Sequence, residues 1–428
     1  MTLIMILVFF IQMIIGIPLF IAMLTTALTG FLYIGEMSLL RLMVQQFFGG
    51  LDIFSLMAIL FFIFAGVLMN HAGLTDRLLM FSRALVGHFK GGLGYVNIVA
   101  SIIFAGVNGS AAADTSALGS ILIPAMGKEG YSRSYAAGLT AGSSLIGPII
   151  PPSIFMILYG ALTNTSIGGL FVAGIIPGFT LGVVFMFMNF YYARKYEFPV
   201  TSTGFSLKKL IQAVGRSMVA LIAPLIIIGG IVFGVMTPTE SGAIAVAYVV
   251  VVGIGWTREL DFSGLWASIC ETARLTSVVF IIMGAATIVA WLLTYEQVPQ
   301  KFAHLVMTYT GNRTVVLLIL SLITFVIGMF MEEVATLVLL TPVFAPIATA
   351  AGIDPLHFGV IMTLNITIAL ITPPMGACVY IASAVGGVPL EKLFKHIWPF
   401  VAVAMFVVMF LIFFPALTTT LPVLFGLG

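Results

Sequence analysis

The chain has 428 residues, of which 61% are hydrophobic and only 7% charged, with a mean hydropathy of +1.21. That is far more apolar sequence than a soluble core needs, so the composition excludes a soluble globular protein and specifies an all-α polytopic membrane protein. The net charge of +2 offers no basic surface for nucleic acid, and the two cysteines, Cys270 and Cys378, lie in apolar surroundings and build no disulfide framework.

The first apolar run, Met1 to Ile34, is too long for one untilted span and is divided by Gly16-Ile17-Pro18. Two segments are predicted, 2–15 and 18–34. No basic stretch precedes MTLIMILVFF, so the first segment is expected to be retained rather than cleaved. Residues 37–50 are too short and too mixed to span. Leu40, Met43, Val44 and Phe47 fall on one helical face, which predicts an amphipathic helix along the interface. A span follows at 52–70, then a polar stretch at 71–93 with Arg77, Arg83 and Lys90. Residues 94–127 contain two apolar arms around the polar run Asn108 to Thr115. Each arm falls short of the roughly 20 residues a span requires, so a re-entrant hairpin is predicted.

Residues 134–163 read as a membrane helix broken at Gly147-Pro148 and Pro151-Pro152. Proline lacks a donor N–H and clashes with the preceding turn. Backbone freed in this way is tolerated at membrane depth only where it lines an enclosed cavity. A span at 170–193 leads to a linker, 194–216. There Arg194, Lys195, Lys208, Lys209 and Arg216 face only Glu197, which places the linker in the cytoplasm.

The second half, 217–428, repeats the first, 1–193. Pro151 and Pro373 are 373 − 151 = 222 positions apart, and the same offset pairs Pro152 with Pro374, Pro124 with Pro346, Pro177 with Pro399 and Gly106 with Gly328. Spans are predicted at 217–236, 240–256, 275–294 and 398–425. A second interfacial helix falls at 260–273, where Phe262, Leu265, Trp266 and Ile269 share a face. A second hairpin occupies 314–350 and a second broken helix 357–384. Each half makes an odd number of crossings, so the halves run in opposite directions. The fold expected is an inverted repeat with two re-entrant hairpins and two broken helices, with both termini outside.

Each hairpin tip is expected to face the break of its own half. Tip one offers Gly106, Asn108, Ser110, Thr115 and Ser116. Its break offers Ser143, Ser144, the Gly147 and Pro148 carbonyls, and Ser153. Tip two offers Gly328, Glu332, Glu333 and Thr336, and its break Asn365, Thr367, the Ala369 carbonyl, Thr372 and Pro373. Hydroxyls, amides and unwound carbonyls are the hard oxygen ligands that sodium takes, so two sodium sites are predicted. The plainer reading of any single Ser or Thr is a hydroxyl that permits close helix packing. Asp114, Glu332 and Glu333 are acids at membrane depth, where an ionised group needs a compensating ion or water. The half-helices that begin at Pro152 and Pro374 would aim positive N-termini at the cavity, which suits an anionic substrate. No metalloprotease helix motif, nucleotide-binding glycine loop or nucleophile–base pair is present, so no enzyme is expected.

The stretches GSAAADTSALGSILIPAM, AAGLTAGSSLIGPIIPPSI, TPTESGA, GIDPLHFGVIMTLN and ITPPMG resemble the large (permease, DctM-like) membrane subunit of tripartite ATP-independent periplasmic (TRAP) transporters. The resemblance covers nearly the whole chain. It implies the elevator-type fold of the ion-transporter superfamily in a bacterial inner membrane. It also implies sodium-driven uptake of an organic acid delivered by a periplasmic substrate-binding protein, and a small four-helix membrane subunit as partner. Carried over, the sodium sites fall on Asn108, Ser110 and Gly147-Pro148, and on Gly328, Glu332 and Ile371-Thr372-Pro373. Many members have Met-Asp at the second tip, followed shortly by a proline, where this chain has Met331-Glu332-Glu333. As a whole the chain looks most like the sialic-acid branch of a family that also includes C4-dicarboxylate carriers. A stand-alone sodium/carboxylate symporter of the same superfamily, and a channel, are the alternatives.

Overall fold

A computed structural model describes residues 1–35, 39–200 and 204–428. Met37, the expected start of the first interfacial helix, and three residues of the linker lie outside the described residues.

The described residues form helices with no strand. α1 (Thr2–Ile15) ends at Gly16, whose φ of 83° closes the helix. Pro18 then precedes α2 (Leu19–Ile34), so the first apolar run divides at Gly16-Ile17-Pro18. α3 (Leu40–Leu51) meets α4 (Leu56–His71) at a bend of 50°. The stretch read as a polar loop contains a further helix, α5 (Leu74–Val86). It buries Leu74, Leu78, Leu79 and Ser82 while Asp76, Arg77 and Arg83 lie off that face. α6 (Gly92–Asn108) and α7 (Ala111–Lys128) form the first hairpin, joined by Gly109-Ser110. α8 (Arg133–Ser143), a short turn at 144–146 and α9 (Ile154–Thr163) form the first broken helix, followed by α10 (Ile167–Lys195).

The second half begins with α11 (Leu207–Val232) and α12 (Pro238–Val251). Thr237 and Glu240 start α12 as a reciprocal capping pair. α13 (Phe262–Tyr295) corrects the expected separate interfacial helix at 260–273. This helix runs unbroken into the next span because no proline interrupts it, and Ser268, Thr272 and Thr276 each return their hydroxyl hydrogen to the carbonyl one turn back. Its 34 residues extend about 50 Å at 1.5 Å per residue, more than a bilayer core is thick. α14 (Val298–Tyr309) was not anticipated. α15 (Arg313–Gly328) and α16 (Glu333–Ala350) make the second hairpin. At 18 residues α16 is long and apolar enough to cross a membrane. α17 (Pro355–Ala369) and α18 (Ala377–Gly386) form the second broken helix. The predicted last span is two helices, α19 (Leu390–Phe413) and α20 (Ala416–Leu424), divided at Pro415.

Helix limits recur at the offset of the prolines. Adding 222 to the bounds of α7 gives those of α16, and adding it to Arg133, where α8 begins, gives Pro355, where α17 begins. Both breaks carry a cis bond, Pro151-Pro152 and Pro373-Pro374. Among the described residues six helices are long and apolar enough to cross a membrane, so this is a multi-pass membrane protein. Large apolar side chains such as Ile14, Phe187 and Leu225 are exposed on the periphery, where lipid replaces water as solvent.

Two sets of helices are distinguished by packing, and they meet where α13 packs on α16 and α5 on α6. α4 packs on α12 and α13, α11 on α5, and α13 on α2 and α3. Inside this frame α7 packs on α8, α15 on α17, and α16 on α17. The second segments of the broken helices cross over: α9 packs on α16, and α18 packs on α7.

Candidate functional site

The two hairpin turns are built alike. Ser110 is the N-cap of α7, and its hydroxyl accepts a hydrogen bond from Ala113 N at 3.4 Å. Glu332 is the N-cap of α16, and its carboxylate accepts from Ala335 N at 2.9 Å. The caps are 332 − 110 = 222 apart, as are their donors, 335 − 113 = 222. A cap of this kind contributes about 1 kcal/mol to its helix, so each side chain has a structural duty at the tip.

Tip one presses on its own break. Gly109 has φ +60°, and a Cβ there would lie 2.4 Å from the Pro152 carbonyl oxygen, so glycine alone permits this approach. The Ser110 carbonyl lies against Gly147. Ser153, fully buried, caps α9 by accepting from Met156 N and donates its hydroxyl to the Pro148 carbonyl. That carbonyl is therefore engaged within the break. Gly106 packs between Pro224 and the Pro151 carbonyl. The side chain of Asn108 lies outside the described residues.

Behind the tip the predicted hydroxyls are buried and hydrogen-bonded in two groups. Thr115 donates to Ser144 at 2.7 Å, and Ser101 to Ser143 at 3.2 Å. Ser143 donates to Asn97 Oδ1 at 3.0 Å, and Asn97 Nδ2 to Thr140 at 2.7 Å. Ser101, Asn97 and Thr140 were not singled out in the sequence. They are polar residues on otherwise apolar faces, which was the available signal.

At tip two, Gly328 lies against the Ala369 methyl, and Met375 N donates to the Met329 carbonyl at 3.3 Å. Ser321 donates to Asn365 Oδ1 at 3.1 Å; Asn365 is equivalent to Ser143, since 143 + 222 = 365. The hydroxyls of Thr367 and Thr372 donate to carbonyls one turn back, and the Ala369 carbonyl accepts from Thr372 N. Thr372 is fully buried next to Pro373 at the break. The expected pairing of each tip with its own break is present at both hairpins.

Ser110, Ser116, Glu332 and Glu333 open on a single cavity of about 730 Å³. Its other wall comes from the outer frame and includes Asn70, Thr75, Asp76 and Glu271, which sequence reasoning missed because they come from three separate helices or helix ends. Ile154 and Phe155, at the start of α9, complete it. Four acids and no Lys, Arg or His line the cavity among the described residues. Near its Asp76 and Glu271 end, Arg77 pairs with Glu259 at 3.5 Å and His71 lies 4.0 Å from Glu271. Such a site attracts cations, and an anion would meet favourable potential at the N-termini of α5, α7, α9 and α16.

The chain matches the family described as "Tripartite ATP-independent periplasmic transporter, DctM component" over residues 6–417. It is 39% identical over 411 residues to the sialic acid TRAP transporter large permease protein SiaM of Vibrio cholerae, covering 96% of each chain. It is 35% identical to the isethionate TRAP transporter permease protein DctMQ of Oleidesulfovibrio alaskensis, covering 95% of this chain and 64% of that one. In fold it resembles the crystal structure of the Alcanivorax borkumensis YdaH transporter, with a TM-score of 0.63 at 16% identity over 92% of this chain and 91% of that one. The chain therefore belongs to the DctM component family and is the large, multi-pass permease subunit of a TRAP transporter of the bacterial inner membrane.

Proposed function

We propose that this permease takes up an organic acid by sodium symport, with sialic acid the first substrate to test. The observation that carries the reading is the shared cavity. Two equivalent N-cap side chains, Ser110 and Glu332, reach it from hairpins whose turns each lie against a helix break. A sodium ion at each tip would be held by the cap oxygen together with oxygens of the adjoining break, around Gly147-Pro148 and around Ile371-Thr372-Pro373. The four acids of the cavity repel a carboxylate until cations arrive, so sodium binds first. The substrate carboxylate then rests near the N-termini of α7 and α9.

The hairpins and broken helices form the mobile unit, and α2, α3, α4, α11, α12 and α13 the scaffold. The constant offset of 222 supports reading the two halves as an inverted repeat, with the hairpins entering from opposite sides. Movement of the inner unit against the scaffold carries the site across, in the manner of an elevator. Each excess sodium charge moving inward gains roughly 2.3 kcal/mol per 100 mV of membrane potential. A tripartite transporter also requires a periplasmic substrate-binding protein and a small membrane subunit, read here as a four-helix chain. The fused permease among the relatives is consistent with such a stable pairing.

Uptake of labelled sialic acid into proteoliposomes tests this reading. Accumulation is expected only with an inward sodium gradient and only when the binding protein is supplied. Equal uptake in potassium would remove sodium from the mechanism, and uptake without the binding protein would identify a stand-alone symporter.

A further inference from the structure

Asp114 is not used by the paired sites and does not line the cavity. It is 1% exposed, and neither carboxylate oxygen receives a hydrogen bond. Among the described residues no basic side chain acts on it, and the polar group beside it is the Ser101 hydroxyl of α6. The hydrogens around it are directed elsewhere. Ser101 donates to Ser143, Ser143 to Asn97, Asn97 to Thr140, and Thr140 to the Ala136 carbonyl at 2.8 Å. This relay runs from α6 into α8, and the Ser101 oxygen, which donates to Ser143, keeps lone pairs for a further partner. Cys378 of α18 lies beside Thr115 and Ser144 and within the field of both Asp114 and Glu333.

An ionised carboxylate without donors in a dry site is too costly to persist alone. A proton would satisfy one of its oxygens and leave the other without a donor. A small cation satisfies both oxygens and uses the free lone pairs of Ser101 as well.

We propose that Asp114 and Ser101 hold a third sodium ion, behind the first hairpin tip, where α18 of the second half packs on α7. Such an ion would link the two halves, because α7 and α18 come from opposite sides of the linker. The proposal adds to the sodium reading above, and its test separates the two.

The experiment measures radioactive sodium bound per purified transporter complex at equilibrium, together with thermal unfolding of the same samples with and without sodium. Asp114→Asn keeps size and removes charge. It is expected to bind one sodium fewer than the wild type, with the remaining affinities changed by no more than about two-fold, as for sites that do not share ligands. Its unfolding temperature should rise less on sodium addition. Ser101→Ala keeps the carboxylate and should bind the full number, with the weakest affinity lowered about ten-fold or more. An unchanged count in Asp114→Asn and unchanged affinities in Ser101→Ala overturn the third site and leave a proton on Asp114. A wild type that binds no sodium overturns both this inference and the proposed symport. Loss of one ion in Ser110→Ala but none in Asp114→Asn overturns this inference alone.

Discussion

Gly109→Ala probes the contact between the first hairpin tip and its break. Gly109 has φ +60°, a conformation that costs a residue bearing a Cβ about 1–2 kcal/mol. The added methyl would also lie 2.4 Å from the Pro152 carbonyl oxygen, which is backbone and cannot rotate away. Forcing such a contact apart costs about 1–3 kcal/mol more. Gly130→Ala supplies the control, because Gly130 has φ +92° but a methyl added there would meet nothing within 4 Å. Gly130→Ala is therefore expected to lose only about 1–2 kcal/mol. Gly109→Ala should lose about 2–5 kcal/mol, the sum of the two costs. If about 2 kcal/mol of that excess separates the tip from the break, sodium binding weakens about 30-fold, at 1.4 kcal/mol per factor of ten. The assay is thermal unfolding of the purified complex across a sodium titration. Gly109→Ala should unfold earlier and need more sodium to recover, whereas Gly130→Ala should keep the wild-type sodium dependence. Equal sodium dependence in the two variants would refute the claim that the close approach of Gly109 to Pro152 shapes the ion site.

A cysteine at Lys209 should be labelled only from the cytoplasm and one at Asn312 only from outside; labelling of both from one side breaks the inverted count. Trp266→Asp, on the exposed apolar face that includes Phe262 and Ile269, should weaken assembly with the small subunit and leave sodium affinity nearly intact, which co-purification and sodium titration would check. Ser166→Ala removes the cap of α10, whose hydroxyl accepts from Gly169 N at 3.1 Å. It should cost about 1 kcal/mol of stability without altering sodium dependence, which separates cap loss from ligand loss at Ser110.

Much of this site was legible because proline and glycine write backbone geometry directly into sequence. Pro151-Pro152 and Pro373-Pro374 located both breaks, and the offset of 222 alone related Ser110 to Glu332. Side-chain hydroxyls were harder to read. Ser143 and Ser144 were recognised, but their partners Ser101 and Thr115 could be paired only once α6 and α7 lay against α8. α5 was missed because Asp76, Arg77 and Arg83 masked the apolar spacing of Leu74, Leu78 and Leu79. The same offset carries α5 close to α14, which would have exposed both. The second interfacial helix was wrongly separated because amphipathic spacing describes a face, and nothing in CETARLTSV stops a helix. The crossing of α9 onto α16 and of α18 onto α7 is long-range packing, which no local pattern encodes. The frame wall of the cavity, with Asp76 and Glu271, depends on that packing as well.

The central claim is that Ser110 and Glu332 complete two sodium sites that drive transport. Initial uptake by the reconstituted complex, measured against external sodium with binding protein supplied, tests it most directly. Ser110→Ala and Glu332→Ala should each shift half-maximal uptake to higher sodium and make the curve less steep, while Ser166→Ala leaves it in place. Unchanged sodium curves for both tip variants would mean that these side chains only cap their helices, and would contradict the account.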